Sequence, residues 1–337
     1  MNQKISLAVV VILALFLSLQ ESSASSRHTF KIASLAPEGS VWVNSFKDFA
    51  EEVNSNTNGE IAFRIYPGGV MGDDRAMYRK MRVGQLHGGG FTMTGIAEIV
   101  PDFRVMAIPF LFHSYAEVDA ASADLQPLFR QRFAAEGLQL VAMTEVGFIY
   151  TFSTRPQVSV ADLQQSKVWA PPEDPLTAAF LSELQISPIT LSIPDVLSSL
   201  QTGLIDTAFN SLYGSIVLQW FTKASYVTDQ PYGYAYGAFI MSDRAMAKLS
   251  EEQRTIIEKA AEKFFPELIE KTRQSNQDSR DVLSKQGVSF VETTEEVIAT
   301  LEEQRDRAIA RVRGTSFSEE AYQILKSAIA RHRAGGN

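Results

Sequence analysis

Thr29-Phe30-Lys31-Ile32-Ala33-Ser34-Leu35, then Ala36-Pro37-Glu38-Gly39-Ser40, then Val41-Trp42-Val43-Asn44-Ser45-Phe46, is the stretch whose reading decides the fold. Residues 29–35 read as a strand, and Ala36-Pro37-Glu38-Gly39 as a loop. Ser40 stands where a helix N-cap belongs, because its hydroxyl can accept from a free N–H of the first turn. Trp42, Phe46, Phe49, Ala50 and Val53 then recur at helical spacing, which gives that helix one buried face. Thr57-Asn58-Gly59 stops it, and residues 60–66 form a second strand. A strand, a helix and a strand in this order predict an α/β architecture.

The same grammar continues outward. Pro67-Gly68-Gly69 turns the chain into a helix over residues 73–82, and a third strand follows over Gly88–Thr92. Ile108-Pro109-Phe110-Leu111-Phe112 is apolar enough to belong in the core or beside a cleft. Strands are predicted over 138–144 and 148–153, and Ser159-Val160-Ala161-Asp162 reads as a capping box. Residues 167–170 form a short strand entering Pro171-Pro172. Ser192-Ile193-Pro194-Asp195 starts a helix that runs to about Gln201 and stops at Gly203. Residues 205–209 are strand-like. A long helix begins at Ser250-Glu251-Glu252-Gln253 and runs past Gln274, with Pro266 expected to kink it. Without a low-complexity linker or a short repeat, two lobes joined by several crossing segments explain the pattern better than two separate beads.

Composition narrows the function. Lys4, the apolar run from Leu7 to Leu19 and the small residues Ser22-Ser23-Ala24 read as an export signal, with cleavage expected near Ala24 and a periplasmic destination. The chain has 0 cysteines, which excludes a lipid-bearing cysteine, disulfides and thiolate metal sites. With 39 acidic against 31 basic residues it lacks the positive footprint of a nucleic-acid binder. The histidines His28, His87, His113 and His332 have no ligand spacing, so no metal is expected, and no dinucleotide or phosphate loop calls for a cofactor. His87-Gly88-Gly89-Gly90 could form an esterase oxyanion hole, but the Gly-x-Ser-x-Gly elbow that must accompany it is missing. The glycines are expected to permit close backbone approach instead, and no enzyme activity is predicted.

Several segments together resemble the substrate-binding subunit of TRAP (tripartite ATP-independent periplasmic) transporters, the DctP-like family. They are Phe49-Ala50-Glu51-Glu52-Val53 with Thr57-Asn58-Gly59, Tyr66-Pro67-Gly68-Gly69 through Met71-Gly72, Ile108-Pro109-Phe110-Leu111-Phe112, and Leu200-Gln201-Thr202-Gly203-Leu204-Ile205-Asp206. The resemblance implies a two-lobed periplasmic binding protein of type II-like α/β fold, with a hinge and a long helix spanning both lobes. It implies delivery of a small-molecule ligand to the small and large membrane subunits of a sodium-coupled permease. A sensor that docks elsewhere, or a relative working with a helical-repeat lipoprotein, is the alternative. On this reading residues 1–24 are the signal peptide, 25–146 plus 235–274 the first lobe, 147–234 plus 275–330 the second, and 331–337 a disordered tail.

The family usually carries an arginine shortly after the glycine that opens the second lobe's first strand; here Gly147-Phe148 is followed by Ile149. A second arginine usually grips a ligand carboxylate, and the matching run Ser166-Lys167-Val168-Trp169-Ala170-Pro171 places Trp169 there. Asn210 does match an asparagine that often helps. Losing both cations removes the pairing that a desolvated carboxylate needs, so the cleft is expected to take an uncharged, amphipathic or largely apolar ligand. The alternative is an organic acid held by a relocated cation, Lys167 or Arg104. The candidate ligand-binding residues are Trp169, Asn210, Tyr213, Phe209, Ile149, Met93, Thr92, Trp42 and Tyr236. Trp169 is expected to wall the ligand, with Asn210 and Tyr213 hydrogen-bonding to it.

Overall fold

The computed structural model describes residues 27–335, so the export signal and its cleavage near Ala24 lie outside the described residues. The strands are β1 (His28–Ser34), β2 (Ile61–Tyr66), β3 (Gly88–Thr92), β4 (Leu138–Ser153), β5 (Trp169–Ala170), β6 (Ile189–Thr190), β7 (Thr207–Ser211), β8 (Tyr226–Thr228), β9 (Gly233–Ser242) and β10 (Ser289–Val291). The main sheet runs β10-β8-β4-β9-β3-β1-β2, with β7 on the other side of β4. β1 is parallel to β2 and β3, whereas β9 is antiparallel to β3 and β4. β5 and β6 form a separate parallel pair.

Two lobes follow from where the side chains bury. In the first, Phe30, Phe49, Phe239 and Phe265 form one apolar cluster, and Phe103, Phe129, Phe133 and Tyr236 anchor another. In the second, Phe152, Phe180, Trp220, Val227 and Leu283 pack together. The helix Glu251–Lys285 serves both, with Phe265 and Leu268 in a first-lobe cluster and Leu283 in the second. Ser250 starts it with a capping box, and Pro266 lies inside it. No helix of the described residues is long and apolar enough to cross a membrane.

Two elements differ from the sequence expectation. Residues 138–144 and 148–153 belong to one strand, β4, whose register shifts between Glu145 and Gly147. Glu145-Val146-Gly147 breaks the strand alternation without ending the pairing. Gly147 has φ +103°, and a Cβ there would come within 2.6 Å of Asn276 Nδ2, so glycine is needed for both backbone and space. The tail is ordered through 335: the helix Glu319–Gly335 is tied down by Arg333 Nε donating to Glu117 Oε1 at 2.8 Å and by an Arg331–Asp124 ion pair. That helix packs along Tyr115–Ala135, with Ala321, Leu325 and Ile329 in a first-lobe cluster, although it falls partly within the span expected for the second lobe.

Candidate ligand-binding cleft

A cavity of ≈ 250 Å³ lies between the lobes, lined by residues of β1, β3, β4, β7 and β9 and by the start of the helix Val41–Asn56. Local structure aims these groups inward. Ser40 caps the helix that presents Trp42, its Oγ accepting from Val43 N–H. β3 delivers Thr92 and Met93 to the cleft, and Gly90 beside them leaves the backbone bare. The other glycines of that run face inward to the sheet: a Cβ on Gly88 would lie 2.4 Å from the Ile240 carbonyl oxygen. His87 Nδ1 accepts from Lys31 N–H at 2.9 Å, an edge contact far from an oxyanion role.

Trp42, Thr92, Met93, Ile149, Trp169, Phe209, Asn210 and Tyr236 all line the cavity. Tyr213 does not. Its hydroxyl instead accepts from Val41 N–H at 3.0 Å, and its ring lies 5.1 Å from that of Trp42. Tyr213 therefore joins the second lobe to the N-terminus of a first-lobe helix, a contact of closure. Three other polar groups are already satisfied by the protein. Trp169 Nε1 donates to Leu191 O at 2.8 Å, so that residue offers only its ring. The Tyr236 hydroxyl donates to Phe103 O. Thr92 Oγ1 donates to Asp74 Oδ2 at 2.8 Å. Asn210 differs: its Oδ1 accepts from Ser211 N–H at 2.8 Å, while its amide N–H₂ carries no hydrogen bond among the described residues.

No arginine, lysine or histidine lies among the described residues lining the cavity. The cations proposed as substitutes are elsewhere. Lys167 is exposed and donates to Gly203 O at 2.8 Å. Arg104 is buried but spends its guanidinium on Ser316 O and Ala97 O, at 2.8 and 3.0 Å. Two carboxylates do line the cavity, Glu145 and Asp174. Glu145 is paired with Arg273 of the long helix, Oε2 to Nη2 2.8 Å, and accepts from the Tyr234 hydroxyl at 3.0 Å. Burial raises its carboxyl, and Arg273 pulls against that rise. Asp174 caps the helix Pro175–Glu183. Neither Glu145, Asp174 nor Tyr232 was singled out as a ligand contact by the sequence, although Asp174-Pro175 carries a readable helix start.

Beside the cleft, Asp74 is 7 % exposed and accepts from Thr92 through both carboxylate oxygens. Burial lifts its pKa from 3.8 to about 6, against the Thr92 hydrogen bonds. The native state thus holds this proton more tightly than the unfolded chain, and stability falls as pH rises from about 4 to about 6, by about 3 kcal/mol. Asp74→Asn copies the protonated acid and is expected to remove that contribution. Urea melts of both proteins at pH 4, 5, 6 and 7 should show the variant gaining on the wild type as pH rises; parallel curves would refute it.

A family model for bacterial extracellular solute-binding proteins, family 7, matches residues 32–314. A solute-binding protein of Roseobacter denitrificans is 26% identical over 318 residues, 92% of this chain and 94% of the relative. Its crystal structure, with bound L-galactonate, superposes with a TM-score of 0.82, covering 90% of this chain and 99% of that one. A sialic acid-binding periplasmic protein of Vibrio cholerae is 26% identical over 77% of this chain and 79% of its own. The sugar acid binding protein of Advenella mimigardefordensis, solved with galactonate, has a TM-score of 0.85 at 19% identity, covering 91% of this chain and 99% of that chain.

Proposed function

This chain belongs to the bacterial extracellular solute-binding proteins, family 7, and on that premise we propose that it captures an uncharged, amphipathic solute between its lobes in the periplasm and hands it to the membrane subunits of a TRAP transporter. The observation that carries the ligand class is the charge of the wall. The cavity is lined by aromatic and aliphatic side chains, with no cation among the described lining residues and with Glu145 and Asp174 already held by Arg273 and a helix N-terminus. A carboxylate brought there leaves water without a cationic partner, a penalty of several kcal/mol. An apolar body loses water gladly, at roughly 25 cal/mol per Å² buried.

A second reading, an organic acid, is favoured by the acids bound in the structures of relatives. Three probes of one shape separate the two: 2-acetylnaphthalene and 2-ethylnaphthalene, both neutral, and 2-naphthoate. Calorimetric titration of the mature protein at pH 7 is expected to show the neutral ketone binding at least about tenfold tighter than the acid. Tighter binding of 2-naphthoate overturns the uncharged-solute reading and leaves the acid reading standing.

A further inference from the structure

Two helices beside the cleft have first-turn N–H groups held by side chains from other segments. Val41 opens the helix Val41–Asn56, so its N–H has no acceptor within that helix. It donates to Tyr213 Oη at 3.0 Å instead. Tyr213 belongs to the helix Leu212–Val217, and its own first-turn N–H donates to Asn276 Oδ1 at 3.0 Å. Asn276 lies on the long helix, and its Nδ2 donates to Val146 O at 2.8 Å. Val41, Tyr213, Asn276 and Val146 are thereby joined in one relay of hydrogen bonds.

The relay runs from the cleft to the place where the chain passes between the lobes. Val41 and Trp42 pack against a first-lobe cluster, whereas Leu212, next to Tyr213, belongs to the second-lobe cluster. Val146 lies on β4 between Ala142 of the first lobe and Phe152 of the second. Asn276 lies on the long helix between Leu268 of the first lobe and Leu283 of the second. The Asn276–Val146 hydrogen bond therefore ties two crossing segments at the point where the lobes move least against each other. The Tyr213–Val41 bond and the contact of the Tyr213 and Trp42 rings are made across the cleft, and both break when the walls part. Trp42 is fixed separately, Nε1 donating to Glu145 O at 2.8 Å, so Tyr213 closes on a partner already in place. Trp42 lines the cavity, but Val41, Tyr213 and Asn276 do not.

We propose that Tyr213 is a positioning residue for solute capture: oriented from the crossing by Asn276, its hydroxyl caps the first-lobe helix in the closed state and prolongs the stay of a solute it never touches. This rests on capture between the lobes and not on the charge of the solute. Tyr213→Phe keeps the ring on Trp42 and removes only the hydroxyl. Amide hydrogen exchange, followed by NMR on the mature ligand-free protein, is expected to be at least about tenfold faster at Val41 in the variant. Asn44, whose N–H bonds to Ser40 O, should exchange alike in both proteins. Asn276→Ala should speed exchange at Val41 as well, with the Tyr213 hydroxyl still present; an unchanged rate there overturns the relay. In stopped-flow binding, Tyr213→Phe should release 2-acetylnaphthalene and 2-ethylnaphthalene faster by the same factor, about fivefold, with association within about twofold. Equal exchange at Val41 in wild type and Tyr213→Phe overturns the proposal. Unequal factors for the two probes overturn it too, because they mean that the hydroxyl touches the solute. If neither neutral probe binds the wild type, the uncharged-solute reading falls and Val41 exchange alone decides the role of Tyr213.

Discussion

Arg273→Ala is expected to lower stability at pH 7 by about 3–5 kcal/mol, the cost of leaving a buried charge without its partner. Arg273 Nε and Nη2 reach both oxygens of Glu145, at 2.8–3.2 Å, and Nη1 and Nη2 clasp Asp119. The guanidinium also lies 4.4 Å over the ring of Tyr115. Asp119 is exposed and would be rehydrated, but Glu145 is 1 % exposed and would keep only the Tyr234 hydroxyl. The price of removing Arg273 therefore falls on Glu145. Burial already raises this carboxyl, and without Arg273 it rises further. The variant's native state then holds a proton that the unfolded chain releases above about pH 4.3, so its deficit should shrink as pH falls from 7 to 5. Arg273→Ala combined with Glu145→Gln removes the stranded charge and should recover most of the loss at pH 7. Urea denaturation at the two pH values checks both statements. A single variant within about 1 kcal/mol of the wild type at pH 7 would show that the pair contributes little.

That ion pair also marks where sequence reasoning ended. Caps and stops are local, so Ser40, the Ser159–Asp162 capping box and the left-handed Gly203 could be read directly, and each sits where expected. The same holds for β3, bounded by residues that change the period. Non-local partners leave no such trace. Nothing around Glu145 announces an arginine 128 positions away, and its polar break was read as the gap between two strands. The helix Tyr115–Ala135 went unread because it carries Pro127 inside and mixes small apolar with charged residues around its circumference. Its ion-pair and hydrogen-bond contacts to Glu319–Gly335 hold the chain end as a helix, which its alanines also favour.

The cleft was legible in part, and for a reason of the same kind. The family resemblance pointed to Ile149, Trp169 and Asn210, with Phe209 beside them, and all four line the cavity. Hydrogen-bond occupancy could not be read. Tyr213 and Tyr236 looked like ligand donors, yet one serves Val41 and the other Phe103. A tyrosine's role here depends on whether a carbonyl or amide from a distant segment reaches it first, which is a property of the packed chain.

The second large effect concerns charge in the cleft. Ile149→Arg is expected to tighten 2-naphthoate roughly 100-fold and to invert the preference over 2-acetylnaphthalene. Ile149 is half-buried on β4, paired with Ser211 of β7 and Gly233 of β9, and its side chain lines the cavity. Gly233 leaves room beside it: a Cβ there would still be 3.9 Å from Ile149 Cδ1. A guanidinium from this position offers a fork of donors to a carboxylate, and Asn210, whose N–H₂ is unused, lines the same cavity. Trp169 is the poorer site for the same change, because its ring packs against Trp220 at 5.5 Å and its N–H holds Leu191 O. Replacing it would damage the second lobe's core as well as the wall. Without ligand, an arginine at 149 can be hydrated whenever the lobes part, so the folded protein need not bear an unpaired buried charge. Closure around an acid then becomes favourable only in the variant, since the ligand supplies the differential affinity that shifts the open–closed balance. Naphthoate affinity unchanged by Ile149→Arg, in a variant with wild-type melting, would mean that the missing cation is not what sets the ligand class, and the charge argument for an uncharged solute would fall with it.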